Sequence, residues 1–111
     1  MIRRLKIGND QIRIAMEHNE FGNEIITSSS RVAIIMTQDW CPQWLQMKYY
    51  LGRLKEDSFD IDVYEVLYNK EDYFNDFMRF KEEVFFNDNV PYIRFYIDGI
   101  FIGESNYISK T

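Results

Sequence analysis

The sequence predicts a single α/β domain: a central mixed sheet flanked by helices, in the order β-β-α-β-α-β-α-β-β. Three observations predict it. Val32-Ala33-Ile34-Ile35-Met36 and the stretch from Ile61 through Val63 and Val66 to Leu67 are short apolar runs rich in β-branched residues, the pattern of strands buried on both faces. Helical patterns alternate with these runs, which implies parallel strands joined by right-handed crossovers. Asp98-Gly99 lies between apolar runs and signals a closing hairpin, because both turn residues need positive φ.

The elements follow in order. Residues 2–7 alternate loosely, Gly8-Asn9-Asp10 is a turn signal, and residues 11–16 alternate again at Ile12, Ile14 and Met16. Together they predict an N-terminal hairpin. Phe21, Glu24, Ile25 and Ile26 have helical spacing and predict a short helix over 20–30, ending in Ser28-Ser29-Ser30. After the first buried strand, Thr37-Gln38-Asp39 breaks the pattern. Pro42 suits the first position of a helix whose apolar side includes Leu45 and Tyr49. Asn69, with Asp72 three residues on, resembles a capping box for the next helix. Tyr73, Phe74, Phe77, Met78, Lys81, Val84 and Phe85 lie on one side of that helix, an aromatic stripe best read as core. Residues 92–97 and 100–102 form the closing hairpin. The expected organisation is one domain over 1–111, with 1–19 as an N-terminal strand or hairpin extension and 20–104 as the core.

The chain of 111 residues suits one compact domain. Its nine Phe, eight Tyr and two Trp promise a solid core, since aromatic rings bury large areas. The net charge of −5 argues against a nucleic-acid binder, which must neutralise phosphates. Charge is uneven: eleven acids between Glu56 and Asp88 face only Lys70, Arg79 and Lys81. The simplest reading is a solvated acidic helix face; the alternative is a docking surface for a basic partner. One cysteine rules out an intramolecular disulfide. The first residues show no signal-peptide pattern, and no apolar run approaches the ~20 residues of a membrane span. A cytoplasmic protein without membrane association is expected. His18 reads as a surface residue. With no phosphate loop, Ser-His-Asp set or Cys-His ligand pattern, neither a cofactor nor a metal is expected.

Trp40-Cys41-Pro42-Gln43-Trp44 lies between a buried strand and a helix start. A thiol there faces the unpaired N–H groups and positive end of the helix, which stabilise the thiolate, the nucleophile of disulfide exchange. Asp39 opposes that effect by placing a carboxylate nearby.

These residues resemble the thioredoxin-like superfamily. The stretch from Phe21 to Trp44 is similar to the thioredoxin segment that runs from a short helix through a strand to W-C-x-x-C. Val90-Pro91 and the strand to Asp98-Gly99 resemble the family's V-P-strand-D-G segment, and Gly103 lies where thioredoxins and glutaredoxins keep a glycine. The resemblance implies a thioredoxin-like fold in which Cys41 is the attacking cysteine, Trp40 shields it and Pro91 is the cis-proline facing it. Val90 then offers its backbone to an extended substrate by strand addition. Pro42, Trp44 and Gly103 complete the candidate binding residues.

The chain also departs from the family pattern. Trp44 occupies the place of the resolving cysteine, and Ile35 stands where thioredoxins often bury an aspartate. A two-thiol cycle is therefore closed to this chain, and Pro-Gln-Trp after Cys41 departs from the Gly-Phe-Ser of cluster-binding monothiol glutaredoxins. Few residues remain for the family's C-terminal helix, so it is expected to be shortened or missing, leaving an apolar sheet face that would favour a homo-oligomer. Two functions follow. One is single-cysteine exchange with a protein or small-molecule disulfide or thiol. The other is a non-catalytic module that binds a protein partner in the groove beside Pro91.

Overall fold

In the computed structural model of the protein, residues 2–38, 61–69, 71–87 and 91–106 are described. The described elements are β1 (Ile2–Lys6), α1 (Asn9–His18), α2 (Asn23–Ile26), β2 (Arg31–Thr37), β3 (Ile61–Leu67), α3 (Phe74–Glu83), β4 (Tyr92–Ile97) and β5 (Ile100–Ser105). The helix expected from Pro42 lies outside the described residues, as does the chain after Asn106.

The strands form a mixed sheet of order β1-β3-β2-β4-β5. β3 runs parallel to both β1 and β2, with Val32 beside Asp62 and Met36 beside Val66. β4 runs antiparallel to β2, and β5 antiparallel to β4. The buried runs thus form the inner strands, as expected. Asp98 and Gly99 turn at φ 51° and 77°, the two positive angles that the hairpin requires.

Side chains alternate across the sheet. Val32, Ile34 and Met36, with Tyr64, Val66, Tyr92 and Tyr96, face a core supplied by Ile12, Ala15, Ile25, Phe77, Phe80 and Phe85. The opposite face carries Ala33, Ile35, Val63 and Ile93, with Ile61, Leu67 and Phe95 against them. Each such large side chain taken from water contributes roughly 1.5–3 kcal/mol.

Several expectations need correction. Residues 11–16 are not a strand, so the N-terminus forms no hairpin. They lie within α1, which puts a parallel edge strand and a helix where two strands were expected. Ile12 and Ala15 are buried while Ile14 is 36% exposed, so the buried positions follow i, i+3 rather than i, i+2. Gly8 and Asn19 bound this helix, and Asn19 adopts the left-handed conformation common at helix ends. The helix expected over 20–30 contracts to the four residues of α2. Asn69 and Asp72 form no capping box: α3 starts later, after Tyr73, without a side-chain cap bond. The bonds from Glu71 N–H to the Tyr68 carbonyl and from Phe74 N–H to the Glu71 carbonyl make turns there instead. The last strand extends to Ser105, with a register shift that lets it pass Ile102.

α3 follows its expected period. Phe77 and Phe85 are buried, and Phe74 and Met78 half-buried. Glu71, Asp72, Asp76, Glu82 and Glu83 are exposed, and so is His18. The stripe did not identify Phe80, which is buried and packs edge-on against Phe77 and Phe85.

Candidate functional site

β2 ends at Thr37, and Gln38 follows it, three residues before Cys41. Both are buried. The Tyr68 amide donates to the Thr37 carbonyl at 3.2 Å, which extends the β2–β3 ladder to its end. The Gln38 amide nitrogen lies 3.5 Å from the Tyr68 hydroxyl and 3.7 Å from the Met78 sulfur. Tyr68 in turn packs its ring on Phe74 and Phe77. Gln38, the last described residue before Cys41, therefore lies beside the aromatic cluster of Tyr68, Phe74 and Phe77.

Pro91 immediately precedes β4. The β2–β4 register ends with Met36 beside Tyr92, so Pro91 lies just past that last pair, at the same end of the sheet as Thr37. Pro91 is buried, and its carbonyl accepts a 2.9 Å bond from Asn106 Nδ2. The sheet thus brings Pro91 beside the strand end that leads to Cys41. Gly103 lies farther along β5, opposite Phe95 and toward the sheet middle, with open space where a Cβ would be. Trp40, Cys41, Pro42, Trp44 and Val90 lie outside the described residues, and with Val90 the Val90–Pro91 bond does too. Ile35 is fully buried in the apolar cluster with Ala33, Val63 and Ile93.

Two cations are buried among the described residues around β4 and α3, and sequence reasoning missed the part each plays. Arg94, two residues after Tyr92 on the same strand, directs Nε to the Tyr96 hydroxyl, Nη1 to the Tyr92 hydroxyl and Nη2 to Glu20, all at 2.9–3.0 Å. Its guanidinium carbon sits 3.9 Å from the Phe85 ring centre and 4.0 Å from that of Phe101. The Tyr96 hydroxyl and the Phe21 amide both donate to Glu20 Oε1. Burial pulls the Arg94 pKa down, but the bonds to Tyr96 and Tyr92 and the charge of Glu20 carry it above its ordinary value. Burial pushes the Tyr92 phenol up to about 12, against the lowering effect of Arg94.

The second cation is Lys81, fully buried on α3. Its ammonium donates to the Asn87 carbonyl at 2.8 Å, while its own carbonyl accepts from the Asn87 amide at 3.3 Å. Asn87 and Asn106 exchange side-chain amide bonds of 3.3 and 3.0 Å. The signal available in sequence was a lysine on the apolar side of an aromatic helix. A long charged side chain there must find an acceptor inside the protein.

A cavity of about 580 Å³ opens between α1 and α3, lined by residues that include Arg13, Glu17, Asp76, Arg79 and Glu83. Its lining includes none of Thr37, Gln38, Pro91 or Gly103, so it is separate from the place the motif marks. Among the described residues no group of three or more His, Cys, Asp or Glu side chains is placed to hold a metal ion, and no described helix is long and apolar enough to cross a membrane.

No protein-family model matches the sequence, and no curated relative matches it. Solved structures do match the fold. A mutant thioredoxin from Halobacterium salinarum superposes with a TM-score of 0.64 at 13% identity, covering 97% of this chain and 80% of that one. Thioredoxin O1 from Arabidopsis thaliana in its oxidized state gives 0.65 at 16% identity, covering 96% and 87%. A wheat glutaredoxin gives 0.51 at 18% identity, covering 83% and 74%. The chain has the thioredoxin fold, with the mixed sheet and flanking helices expected from its sequence.

Proposed function

We propose that the chain performs single-cysteine thiol–disulfide exchange through Cys41 in the cytoplasm. One observation carries this reading: in a sheet of thioredoxin fold, β2, the strand that precedes Trp40-Cys41-Pro42 in sequence, ends at the same end of the sheet where Pro91 precedes β4. The Cys41 thiolate attacks one sulfur of a disulfide on a protein or small thiol. A bond forms between Cys41 and that sulfur, the original S–S bond breaks, and the leaving thiolate takes up a proton. An external thiolate then attacks the mixed disulfide, releases Cys41 and leaves as the new disulfide. With Trp44 in place of a second cysteine, the first adduct waits for that external thiol. Trp40 shields the sulfur; Pro42, Val90, Pro91 and Gly103 shape the groove.

Incubation with oxidised glutathione should add one glutathione by mass, added thiol should remove it, and Cys41→Ser should abolish it. The alkylation rate against pH should place the thiol modestly below the ~8.5 of a free cysteine. Trp44→Cys should permit internal resolution and raise disulfide reductase activity from near zero. An unshifted or raised thiol pKa, with resistance to alkylation in the folded protein, would end this reading.

A second reading rests on the buried Ile35. Apolar side chains surround it where a redox thioredoxin often keeps a proton-handling acid, so the domain would bind an extended partner segment beside Pro91 without chemistry. Partner binding that persists in Cys41→Ser, together with an inert thiol, would favour it.

A further inference from the structure

Five hydrogen bonds link Lys81 at the end of α3, Asn87, Asn106 and Pro91. Lys81 grips Asn87 twice, through its ammonium to the Asn87 carbonyl and through its own carbonyl to the Asn87 amide. Asn106, just beyond β5, uses its two amide hydrogens on two acceptors: the Asn87 side-chain oxygen at 3.0 Å and the Pro91 carbonyl at 2.9 Å. Asn106 therefore holds Asn87 and Pro91 at a set separation, and Lys81 anchors that pair to the helix. The ammonium comes from a fully buried side chain, so its bond is not weakened by competing water. Nothing in the packing of an aromatic helix requires a lysine at this position; a leucine or methionine would fill the volume without desolvating a charge.

We propose that Lys81 and Asn106 are positioning residues that fix Pro91 in place, and with it the wall of the groove that the exchange reading gives to an extended substrate. This rests on the exchange reading above. Small disulfides need only the thiol of Cys41, whereas an extended peptide also needs the groove beside Pro91. Loosening the clamp should therefore penalise the peptide selectively.

The test uses the full chain and two mixed disulfides with the same chromogenic leaving thiol, 5-thio-2-nitrobenzoate. One carries 2-mercaptoethanol; the other carries a capped nonapeptide through a central cysteine. Release of the coloured thiolate gives both rates, and urea unfolding monitors stability. In the unsubstituted protein the peptide probe should react faster. Asn106→Ala should lower the peptide rate about tenfold, in the range expected for a small misplacement, and leave the small-probe rate within about twofold. Asn106→Asp should behave like Asn106→Ala, because it keeps an acceptor for Asn87 but loses the donor to Pro91. Lys81→Met should lower the same ratio; should it fail to fold, the two Asn106 variants, at a half-buried site, carry the test. A peptide-to-small ratio unchanged in the Asn106 variants, or both rates falling together with stability, would overturn the clamp and leave the exchange reading standing. An unsubstituted protein inert to both probes would overturn both.

Discussion

Arg94 on β4 and Lys81 on α3 are both buried cations, and their hydrogen-bond partners differ in kind. Arg94 is held by side chains: two tyrosines of its own strand, Glu20 at the entry to α2, and the faces of Phe85 and Phe101. Its planar fork meets three acceptors at once, which joins β4 to the chain before α2. Lys81 bonds to a backbone carbonyl outside its helix, and its single ammonium directs the path of the chain there. The buried guanidinium thus unites a strand with the chain before α2, while the buried ammonium ties α3 to the backbone just past its end. The first is a matter of stability, the second of geometry.

The sharpest way to break this comparison is at Arg94. Arg94→Met removes three hydrogen bonds and the charge facing Glu20, while Tyr96 keeps its bond to Glu20, and should lower unfolding free energy by about 2–3 kcal/mol in urea titrations. A loss below about 1 kcal/mol would show that the network is not integral to the fold.

A third ionic cluster, remote from Pro91, provides a control. Asp62 is buried and accepts two bonds from Arg3, at 2.7 and 2.6 Å, and one from Ser28. The Arg3 guanidinium, opposed by burial and aided by Ser28, holds its carboxyl below the usual range. A lowered folded pKa means that the stabilisation is fully present above the unfolded value of about 3.9 and fades as pH falls through the folded value. Asp62→Asn should cost about 2 kcal/mol at neutral pH and flatten the acid limb of the stability profile below about pH 4.

Lys81→Met should cost less, about 1–2 kcal/mol, because the charge-assisted bond to the Asn87 carbonyl is lost while the aliphatic volume is kept. A cost equal to that of Arg94→Met would erase the distinction between the two cations. The smallest effect is expected at Phe86, next to the residue Lys81 grips. Phe86 sits at φ 56° and is 86% exposed, whereas its neighbour Phe85 is buried against Arg94. Phe86→Gly should stabilise the protein by about 0.5–1 kcal/mol, since glycine adopts this conformation without the Cβ penalty. A destabilising result would reveal a packing role for the exposed ring.

Period and turn chemistry made much of the fold legible. The inner strands, the aromatic helix and the Asp98-Gly99 hairpin each rest on a local signal, and each lies where expected. The N-terminal helix was misread because Ile12, Ile14 and Met16 alternate in sequence. Only packing shows that Ala15 and Ile12 share the buried side while Ile14 faces water. Small residues such as alanine barely register in a hydrophobic pattern, yet they fit where a helix approaches a sheet closely.

By itself, the sequence determined that one apolar strand leads into a lone cysteine, that a proline precedes a later strand, and that no second thiol is available. Tertiary structure alone decided that this proline lies at the sheet end where β2 finishes, that Glu20 reaches Arg94 across 74 positions, and that Asn106 bridges Asn87 to Pro91. The division has a physical cause. Strand and turn preferences arise from neighbours along the chain. A buried polar group, by contrast, takes whichever partner the packed elements bring within about 3 Å, and no local pattern encodes that partner.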